Sequence, residues 1–185
     1  MKNLLKSAGL FLALFFMFPM MIQAQNTVIV GGEAMYPKKN IVENAINSEV
    51  HTTLVAAVKA AGLVETLQSE GPFTVFAPVN DAFENLPEGT VATLLKEENK
   101  QLLTTVLTYH VVAGNYDFTA LKKMIKKGQK TLKTVSGGQL SLMMNGPNNI
   151  VVTDEKGNNA NIIVYDVTQS NGVIHTLDQV LMPGS

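Results

Sequence analysis

The stretch that decides the fold is GPFTVFAPVNDAFENLP, which runs from Gly71 to Pro87. Its first part, Phe73 to Ala77, is aromatic and β-branched and carries no charge, which predicts a buried strand. Pro78 is expected to end this strand because it cannot donate a backbone hydrogen bond. Asn80 is expected to cap a short helix that contains Phe83. The stretch therefore predicts a strand, a turn and a helix in succession.

Upstream of this stretch, apolar residues recur at helical spacing. Asn40, with Glu43 three residues later, has the pattern of a capping box at the start of a helix over 41–47. Either Thr52 or Thr53 is expected to cap the next helix, which Gly62 would end in a left-handed conformation. The first part of the domain is thus predicted to be helical.

Downstream, three further helical segments are interrupted by one strand. Residues 109–112, Tyr-His-Val-Val, are aromatic and β-branched and are predicted to form that strand. Thr90 and Thr119 are expected to act as N-caps, and Leu102 is placed on the buried face of the middle helix. The predicted helices are 91–95, 97–108 and 120–127.

From Lys130 onward, the pattern is typical of antiparallel strands. Leu140, Leu142 and Met144 occupy alternate positions, as in a half-buried strand. Asn-Gly pairs between the segments supply the positive φ angles that tight hairpins need. Because helices fill the first half and strands the second, the sequence predicts an α+β domain. The candidate strands are 131–135, 139–144, 149–153, 160–167 and 173–176.

The composition limits the classes of function. The chain has 185 residues, 46% of them hydrophobic, which suffices for one globular domain with a core. The absence of cysteine excludes disulfide scaffolds, thiol catalysis and cysteine-ligated metal sites. All 14 basic residues are lysines, and the formal net charge of −1 argues against a nucleic-acid partner. No cofactor is expected.

Residues 1–24 have the pattern of a secretory signal peptide. Lys2 and Lys6 precede an uncharged run, Leu10 to Ile22, that is shorter than the roughly 20 residues a membrane-spanning helix needs. Cleavage is expected after Ala24, and the alternative is an uncleaved membrane anchor. The mature chain is then expected to be secreted to the periplasm or the medium, without a membrane span. Residues 25–39 are expected to form an N-terminal lead-in and 40–183 the domain.

Three stretches together resemble the fasciclin domain family. Besides Gly71–Pro87, they are LLTTVLTYHVVAG, from Leu102 to Gly114, and SNGVIHTLDQVLMP, from Ser170 to Pro183. One departure is Val79, where a threonine is usual, so Asn80 is expected to supply the cap. The resemblance implies a β-sandwich wedge of about seven strands with several short helices packed at one side. It also implies an extracellular adhesion role without catalysis.

Tyr109 and His110 are the first candidate binding residues. Animal members of the family have been assigned cell-receptor contacts through the equivalent pair, so the resemblance implies a binding role. The apolar neighbours of the pair favour an alternative, in which a ring lies in the core and its polar atom is satisfied internally. If the pair lies in a strand, its two side chains point to opposite faces.

A lysine-rich segment supplies the second set of candidates. No acidic residue lies between Asp117 and Asp154. On one helix, Lys122, Lys126 and Lys130 would share a face. The pattern fits a solvated face without a partner, or contact with an anionic surface or a second copy of the chain. The six lysines are Lys122, Lys123, Lys126, Lys127, Lys130 and Lys133, and the first five are the candidate binding residues.

The residues do not assemble a local catalytic motif. His51, His110 and His175 lie far apart, and no serine lies in a G-x-S-x-G turn. We therefore predict a secreted, non-catalytic adhesion or interaction module. Its partner would be a cell-surface or matrix protein or an acidic polysaccharide, and self-association would let it bridge two surfaces. The alternative is a carrier of a small apolar ligand, carotenoid-like or lipid, suggested by the adaptable Met143 and Met144.

Overall fold

A computed structural model, which describes residues 27–184, places most helices before residue 127 and most strands after residue 130. This order confirms the predicted α+β class. The predicted signal peptide, 1–24, lies outside the described residues. The α-helices are α1 (Ile41–Ala45), α2 (Thr52–Ala61), α3 (Val64–Gln68), α4 (Asn80–Glu84), α5 (Thr90–Leu94), α6 (Lys100–Tyr109) and α7 (Phe118–Lys126), and 3-10 turns occupy Glu49–His51 and Glu97–Asn99.

Seven strands form one hydrogen-bonded sheet in the order β4-β3-β9-β8-β7-β6-β5, and β1 and β2 form a separate hairpin. An antiparallel bridge joins Val112 to Thr134, and the Val135 N–H donates to the Val111 carbonyl over 2.8 Å. These contacts bring the two edges of the sheet together, so the sheet nearly closes into a barrel. The strands are β1 (Val28–Val30), β2 (Glu33–Met35), β3 (Phe73–Pro78), β4 (Val111–Ala113), β5 (Thr131–Lys133), β6 (Gln139–Met144), β7 (Ile150–Thr153), β8 (Asn159–Gln169) and β9 (Gly172–Leu177).

Strands β3 and β9, second and third in the order of the sheet, form a parallel pair that the local sequence pattern does not predict. Phe73 is aligned with Gly172 and Pro78 with Leu177, so two of the three fasciclin-like stretches lie side by side. A side chain at Gly71 would collide with the carbonyl of Asn171. Glycine is therefore required where these two stretches meet.

Strand β8 is long and bends sharply in its middle. Its register against β9 shifts between Ile162 and Val167, and Asp166 has a left-handed backbone with φ of 56°. The Asp166 carboxylate accepts a hydrogen bond of 2.7 Å from the Phe118 N–H at the start of α7. The bulge thus fixes the helix that carries three of the six lysines of the lysine-rich segment.

The sheet separates two hydrophobic cores. The helix-side core lies between β3 and β9 and the helices α1, α2 and α6, and includes Val75, Ala77 and Ile174. The sheet-side core lies inside the curved sheet under α7, and includes Phe76 and Leu177. Because successive residues of a strand face opposite sides, β3 and β9 contribute residues to both cores.

The predicted lead-in packs onto the helix-side core. Val30 and Met35 of the β1–β2 hairpin are 4% and 3% exposed and belong to that core. Asn44 of α1 is fully buried, accepts a hydrogen bond from the Tyr36 N–H over 2.9 Å and donates to its carbonyl over 2.8 Å. Asn44 also contacts the side chain of Gln169 in β8. The hairpin is thereby tied to the sheet through α1.

Two of the predicted helix boundaries are confirmed in detail. The Asn40 side chain accepts a hydrogen bond from the Glu43 N–H, and the Glu43 carboxylate accepts one from the Asn40 N–H, which completes the capping box. Gly62 follows α2 with φ of 74°, in the left-handed conformation expected of a C-terminal glycine. Both signals are local, because each depends on residues close in sequence.

The predicted role of Asn80 as the cap of its own helix is wrong. The N-cap of α4 is Val79, which offers no side-chain hydrogen bond. Asn80 instead reaches the start of α2, where its oxygen accepts from the Thr53 N–H over 3.0 Å and from the Thr52 hydroxyl over 3.2 Å. Its amide donates to the Glu49 carbonyl over 2.9 Å. The cap predicted from Thr52 or Thr53 is therefore supplied by a residue of the next motif.

Three smaller expectations also differ from the structure. The N-cap of α5 is Gly89, and Thr90 is the first residue of the helix. The N-cap of α7 is Asp117, whose carboxylate accepts from the Ala120 N–H over 2.7 Å, so Thr119 is not needed there. Leu102 is 50% exposed, because the buried face of α6 runs through Leu103, Val106 and Leu107.

Candidate functional site

Tyr109 lies in the last turn of α6 and is buried. The helix ends at this residue, so the strand predicted over 109–112 is restricted to Val111–Ala113. The Tyr109 hydroxyl donates to the Gln139 carbonyl over 2.8 Å and accepts from the Glu155 N–H over 3.0 Å. Burial raises the pKa of Tyr109 to about 12, and the charge of Glu155 adds to the effect. Tyr109 therefore joins α6 to β6 and to the turn after β7.

His110 is buried beside Tyr109 and holds the C-terminal segment, residues 178–184. Its Nδ1 donates to the Val106 carbonyl over 2.8 Å, which leaves Nε2 as the acceptor of a 3.0 Å hydrogen bond from the Leu181 N–H. Burial lowers the pKa of His110 to about 4, although the Val106 carbonyl and the charge of Asp154 oppose the shift. The ring is therefore neutral near pH 7.

Two acidic side chains hold the same C-terminal segment. Asp154 accepts from the Met182 N–H over 2.9 Å, and Glu155 accepts from the Gly184 N–H over 2.8 Å. Tyr109 and His110 are 0% and 3% exposed. A partner reaches neither ring while this segment is packed, and the opposite-face argument for a strand does not apply at the end of a helix.

The lysine-rich segment does not lie on a single helix face. α7 ends at Lys126, and the chain turns at Gly128, which has φ of 81°. Lys130 therefore lies beyond the helix, and the prediction that it shares a helix face with Lys122 and Lys126 is wrong. Lys122 is half-buried, donates to the Pro147 carbonyl over 2.7 Å, and lies 5.2 Å from the centre of the Phe118 ring. Its charge is already engaged within the protein.

The remaining five lysines of the segment are all exposed, and we call this group of residues the lysine face. α7 buries Leu121 and Ile125, so its charged side chains point away from the sheet-side core. Among residues 27–184, the one side-chain ion pair joins Lys96 and Glu98, and it lies outside this surface. A surface with several unpaired positive charges attracts anionic partners. The lysine face consists of Lys123, Lys126, Lys127, Lys130 and Lys133.

A cavity lies in the helix-side core, which sequence reasoning did not predict. Its volume is about 80 Å³, and its walls are almost entirely apolar. An engineered apolar cavity of about 150 Å³ binds benzene, so this space suits a smaller molecule. Met143 and Met144, the residues that suggested a ligand carrier, do not line it. The lining includes Val30 and Met35 of the hairpin, Leu54 and Val58 of α2, and Val75 and Ile174 of the sheet.

Several polar residues also line this cavity, among them Ser48, His51 and Thr176. The Ser48 hydroxyl and His51 Nδ1 lie 2.8 Å apart, and burial lowers the pKa of His51, with the Ala77 carbonyl opposing the shift. His51 Nε2 and the Thr176 hydroxyl are both buried, and neither has a partner at hydrogen-bond distance among residues 27–184, although the Ala77 carbonyl lies near the His51 ring. No local motif marks these residues, because they come from the turn before α2 and from the last strand.

Residues 27–184 contain neither a cluster of metal-ligating side chains nor a membrane-spanning helix. Between residues 27 and 184, no three His, Asp or Glu side chains are grouped closely enough to hold a metal. None of the helices in that range is long and apolar enough to cross a membrane.

His175 makes two internal hydrogen bonds. Its Nε2 donates to the Tyr116 carbonyl over 2.7 Å, and its Nδ1 accepts from the Asp166 N–H over 3.4 Å.

Comparison with known proteins identifies the family. The family model of the Fasciclin domain matches residues 49–183. This chain belongs to the fasciclin domain family. Its members are typically adhesion or extracellular interaction modules and are generally non-catalytic.

Individual relatives agree with this assignment. The chain is 45% identical to protein sll1483 of Synechocystis, over 86% of this chain and 82% of that protein. It is 32% identical to the cell surface glycolipoprotein MPB83 of Mycobacterium bovis, over 86% of this chain and 68% of that protein. A solved FAS1 domain pair from the insect cell adhesion molecule fasciclin I has a similar fold, with a TM-score of 0.70 at 17% identity. That match covers 80% of this chain and 52% of the insect chain.

Proposed function

We propose that this fasciclin domain is a secreted, non-catalytic interaction module that binds an anionic partner through the lysine face. The partner would be an acidic polysaccharide or an acidic cell-surface or matrix protein. The observation that carries the proposal is the run of five exposed lysines on α7, on β5 and on the turn between them, none of which forms a side-chain ion pair within residues 27–184. The acidic residues lie elsewhere in the sequence, so this region contrasts in charge with the rest of the domain.

The chemistry of lysine sets the character of such binding. A lysine ammonium is a compact, strongly hydrated charge, whereas arginine offers a planar fork that pairs with two oxygens at once. Binding through lysines alone is expected to depend on charge density more than on a fixed geometry. It should weaken as salt rises, because charges at an exposed surface are screened over about 10 Å at 0.1 M salt.

The test is a charge reversal confined to the lysine face. The triple variant Lys123→Glu, Lys126→Glu and Lys130→Glu should lose retention on an acidic polysaccharide column, such as alginate, at low salt. All three side chains are exposed, so the fold should be preserved. Retention is measured as the salt concentration at which the protein elutes, and folding is checked by circular dichroism.

A matched control distinguishes the effect of where the charges lie from the effect of the net charge of the protein. Lys38, Lys100 and Lys156 are exposed and lie outside the lysine face, so replacing all three by Glu changes the net charge equally. This control should retain far more binding than the lysine-face variant. Equal loss in both variants would mean that net charge alone governs retention, and the proposed surface would be wrong.

We infer that export depends on residues 1–24. The basic start and the short apolar run support a cleaved leader. Protein isolated from the producing cells should begin at Gln25, as measured by mass spectrometry of the intact chain. A mass that includes residues 1–24 would support the uncleaved membrane anchor instead.

For Tyr109 and His110 we propose an indirect role. Their hydrogen bonds to Gln139, Glu155 and Leu181 support a role in holding α6, β6 and the C-terminal segment together. Replacing either residue should therefore lower stability first. Loss of partner binding by a variant that is fully folded would instead indicate direct contact.

A second candidate function is the carriage of a small apolar ligand. The cavity in the helix-side core favours it, since its walls are apolar and it is partly covered by the β1–β2 hairpin. Its volume of about 80 Å³ is far too small for a carotenoid. Protein purified from its own host without a visible absorbance band would argue further against a pigment as the ligand.

A further inference from the structure

The position of Thr176 follows from the alternation of strand β9. Ile174 faces the helix-side core, whereas His175 stacks on Phe76 in the sheet-side core, with ring centres 5.7 Å apart. Thr176, one residue further on, therefore faces the helix-side core again. It lies beside Ala77 of β3, to which it is paired in register. Its hydroxyl is thus placed on the side of the sheet where the cavity lies.

The hydroxyl of Thr176 is one of two unsatisfied polar groups in the lining of this cavity. The other is Nε2 of His51, and both residues are almost fully buried, at 1% and 3% exposure. Burying a polar group without a hydrogen bond is unfavourable, so such groups are uncommon in native proteins. Two of them beside one apolar space indicate a bound group that would satisfy both.

We propose that this cavity binds a small apolar molecule that carries one oxygen, a hydroxyl or a carbonyl, hydrogen-bonded to His51 and Thr176. The inference gives a chemical class to the carrier candidate and does not depend on the lysine face. The apolar body of the ligand would contact the valines, leucines and isoleucines of the lining. Its oxygen would lie at the polar end formed by His51 and Thr176.

The protonation of His51 suits this role. Burial keeps the ring neutral near pH 7, so one ring nitrogen donates and the other accepts. If Ser48 donates to Nδ1, then Nε2 carries the hydrogen and donates to the ligand; in the other tautomer Nε2 accepts from a ligand hydroxyl. The Thr176 hydroxyl both donates and accepts. The two residues together therefore match either an alcohol or a ketone.

The competing occupant is an ordered water. A water needs only about 10–15 Å³ and two to four polar partners. The cavity is several times larger and its walls are almost entirely apolar, so a single water would leave most of it empty. A ligand of about four or five non-hydrogen atoms fills the space better.

The experiment uses two probes of equal size, propan-1-ol and 1-chloropropane, with the whole mature protein. Binding is followed by the methyl NMR signals of cavity-lining residues such as Val58 and Ile174. Both probes should shift these signals, and the C1 protons of propan-1-ol should show nuclear Overhauser contacts to the Thr176 methyl. Thr176→Val, which removes the hydroxyl and keeps the shape, should weaken propan-1-ol binding about fivefold. It should leave 1-chloropropane binding unchanged or stronger.

Thr168→Val is the matched control, because Thr168 is exposed on the adjacent strand β8 and is absent from the lining. It should change neither affinity. The proposal would be overturned if propan-1-ol shifted no methyl signal of a cavity-lining residue. It would also be overturned if Thr176→Val weakened the binding of both probes equally, or if a water stayed bound to His51 and Thr176 in the presence of propan-1-ol. The lysine-face experiment is independent of all three results.

Discussion

The two hydrophobic cores of this domain are packed in different ways. The sheet-side core contains most of the largest side chains that are fully buried, among them Phe76, Tyr109 and Leu177. Its buried histidine, His175, has hydrogen-bond contacts at both ring nitrogens. The helix-side core contains a cavity of about 80 Å³ and two unsatisfied polar atoms.

The difference indicates that the two cores have different roles in the domain. A core that is filled and fully hydrogen-bonded fixes the shape of the sheet and the position of α7. A core that retains space and unsatisfied groups contributes less stability and leaves room for a ligand. The sheet-side core thus supports α7, which carries Lys123 and Lys126 of the lysine face, and the helix-side core holds the cavity.

The sharpest test compares the same substitution in each core. Leu177→Ala, at a fully buried residue of the sheet-side core, should cost roughly 4 kcal/mol of unfolding free energy. Leu54→Ala, in the wall of the existing cavity, should cost roughly 2–3 kcal/mol, because fewer contacts are lost. Urea unfolding of both variants measures the difference. A larger loss for Leu54→Ala would contradict the comparison.

Acid should destabilise the domain through its buried histidines. The pKa of His110 is lowered by burial to about 4 in the folded protein, from 6.5 when exposed. The unfolded chain therefore binds more protons between pH 6.5 and pH 4, so stability should fall by about 3 kcal/mol as the pH decreases through that window. His51 and His175, whose pKa values are also lowered by burial, act in the same direction.

Urea unfolding at pH 7, 5.5 and 4.5 measures this dependence on acid. A variant with His110→Gln should be less stable at pH 7 and should lose less stability between pH 7 and 4.5. If its dependence on pH matched that of the parent protein, His110 would not be a source of the acid sensitivity.

The bulge of β8 should be sensitive to the loss of one side chain. Asp166→Ala removes the acceptor for the Phe118 N–H and places alanine in a left-handed conformation, which should cost roughly 1–3 kcal/mol. Asp166→Asn keeps an oxygen and tolerates the same φ, so it should cost much less. Thermal unfolding compares the two variants. Equal costs would mean that the carboxylate charge, and not the conformation, is what matters.

The smallest expected effect is at Thr176. Because its hydroxyl has no hydrogen-bond partner among residues 27–184, Thr176→Val should leave the free energy of unfolding unchanged or raise it by less than about 1 kcal/mol. Most substitutions at fully buried positions destabilise, so a neutral result would be informative. A clear loss of stability, measured by urea unfolding, would show that the hydroxyl has a partner within the protein.

The sequence predicted those parts of the fold that depend on near neighbours. The capping box of Asn40 and Glu43, the left-handed Gly62 and all the later strands follow from spacing and turn residues. The family was also recognisable, because its three stretches are conspicuous. The α+β class followed from the order of these patterns along the chain.

Contacts between distant segments were beyond the reach of local patterns. Asparagine is a common N-cap, so Asn80 was expected to cap its own helix. It caps α2 instead, because tertiary packing brings the start of α4 next to the start of α2. Tyr109 and His110 resemble a strand by residue type, but tertiary packing extends α6 through Tyr109. His51 and Thr176 line the same cavity although they lie more than 100 residues apart in the sequence, so no spacing rule indicates this site.

The parallel pairing of β3 with β9 also constrains how the chain folds. These two adjacent strands are separated by about 100 residues of sequence. Such a non-local contact is slow to form, because a long loop must close, at a cost in entropy, before the contact can stabilise the fold. During synthesis β3 is made about 100 residues before β9, its parallel partner. The sheet is therefore completed only after β9 has been made, and a chain truncated before Gly172 should not fold.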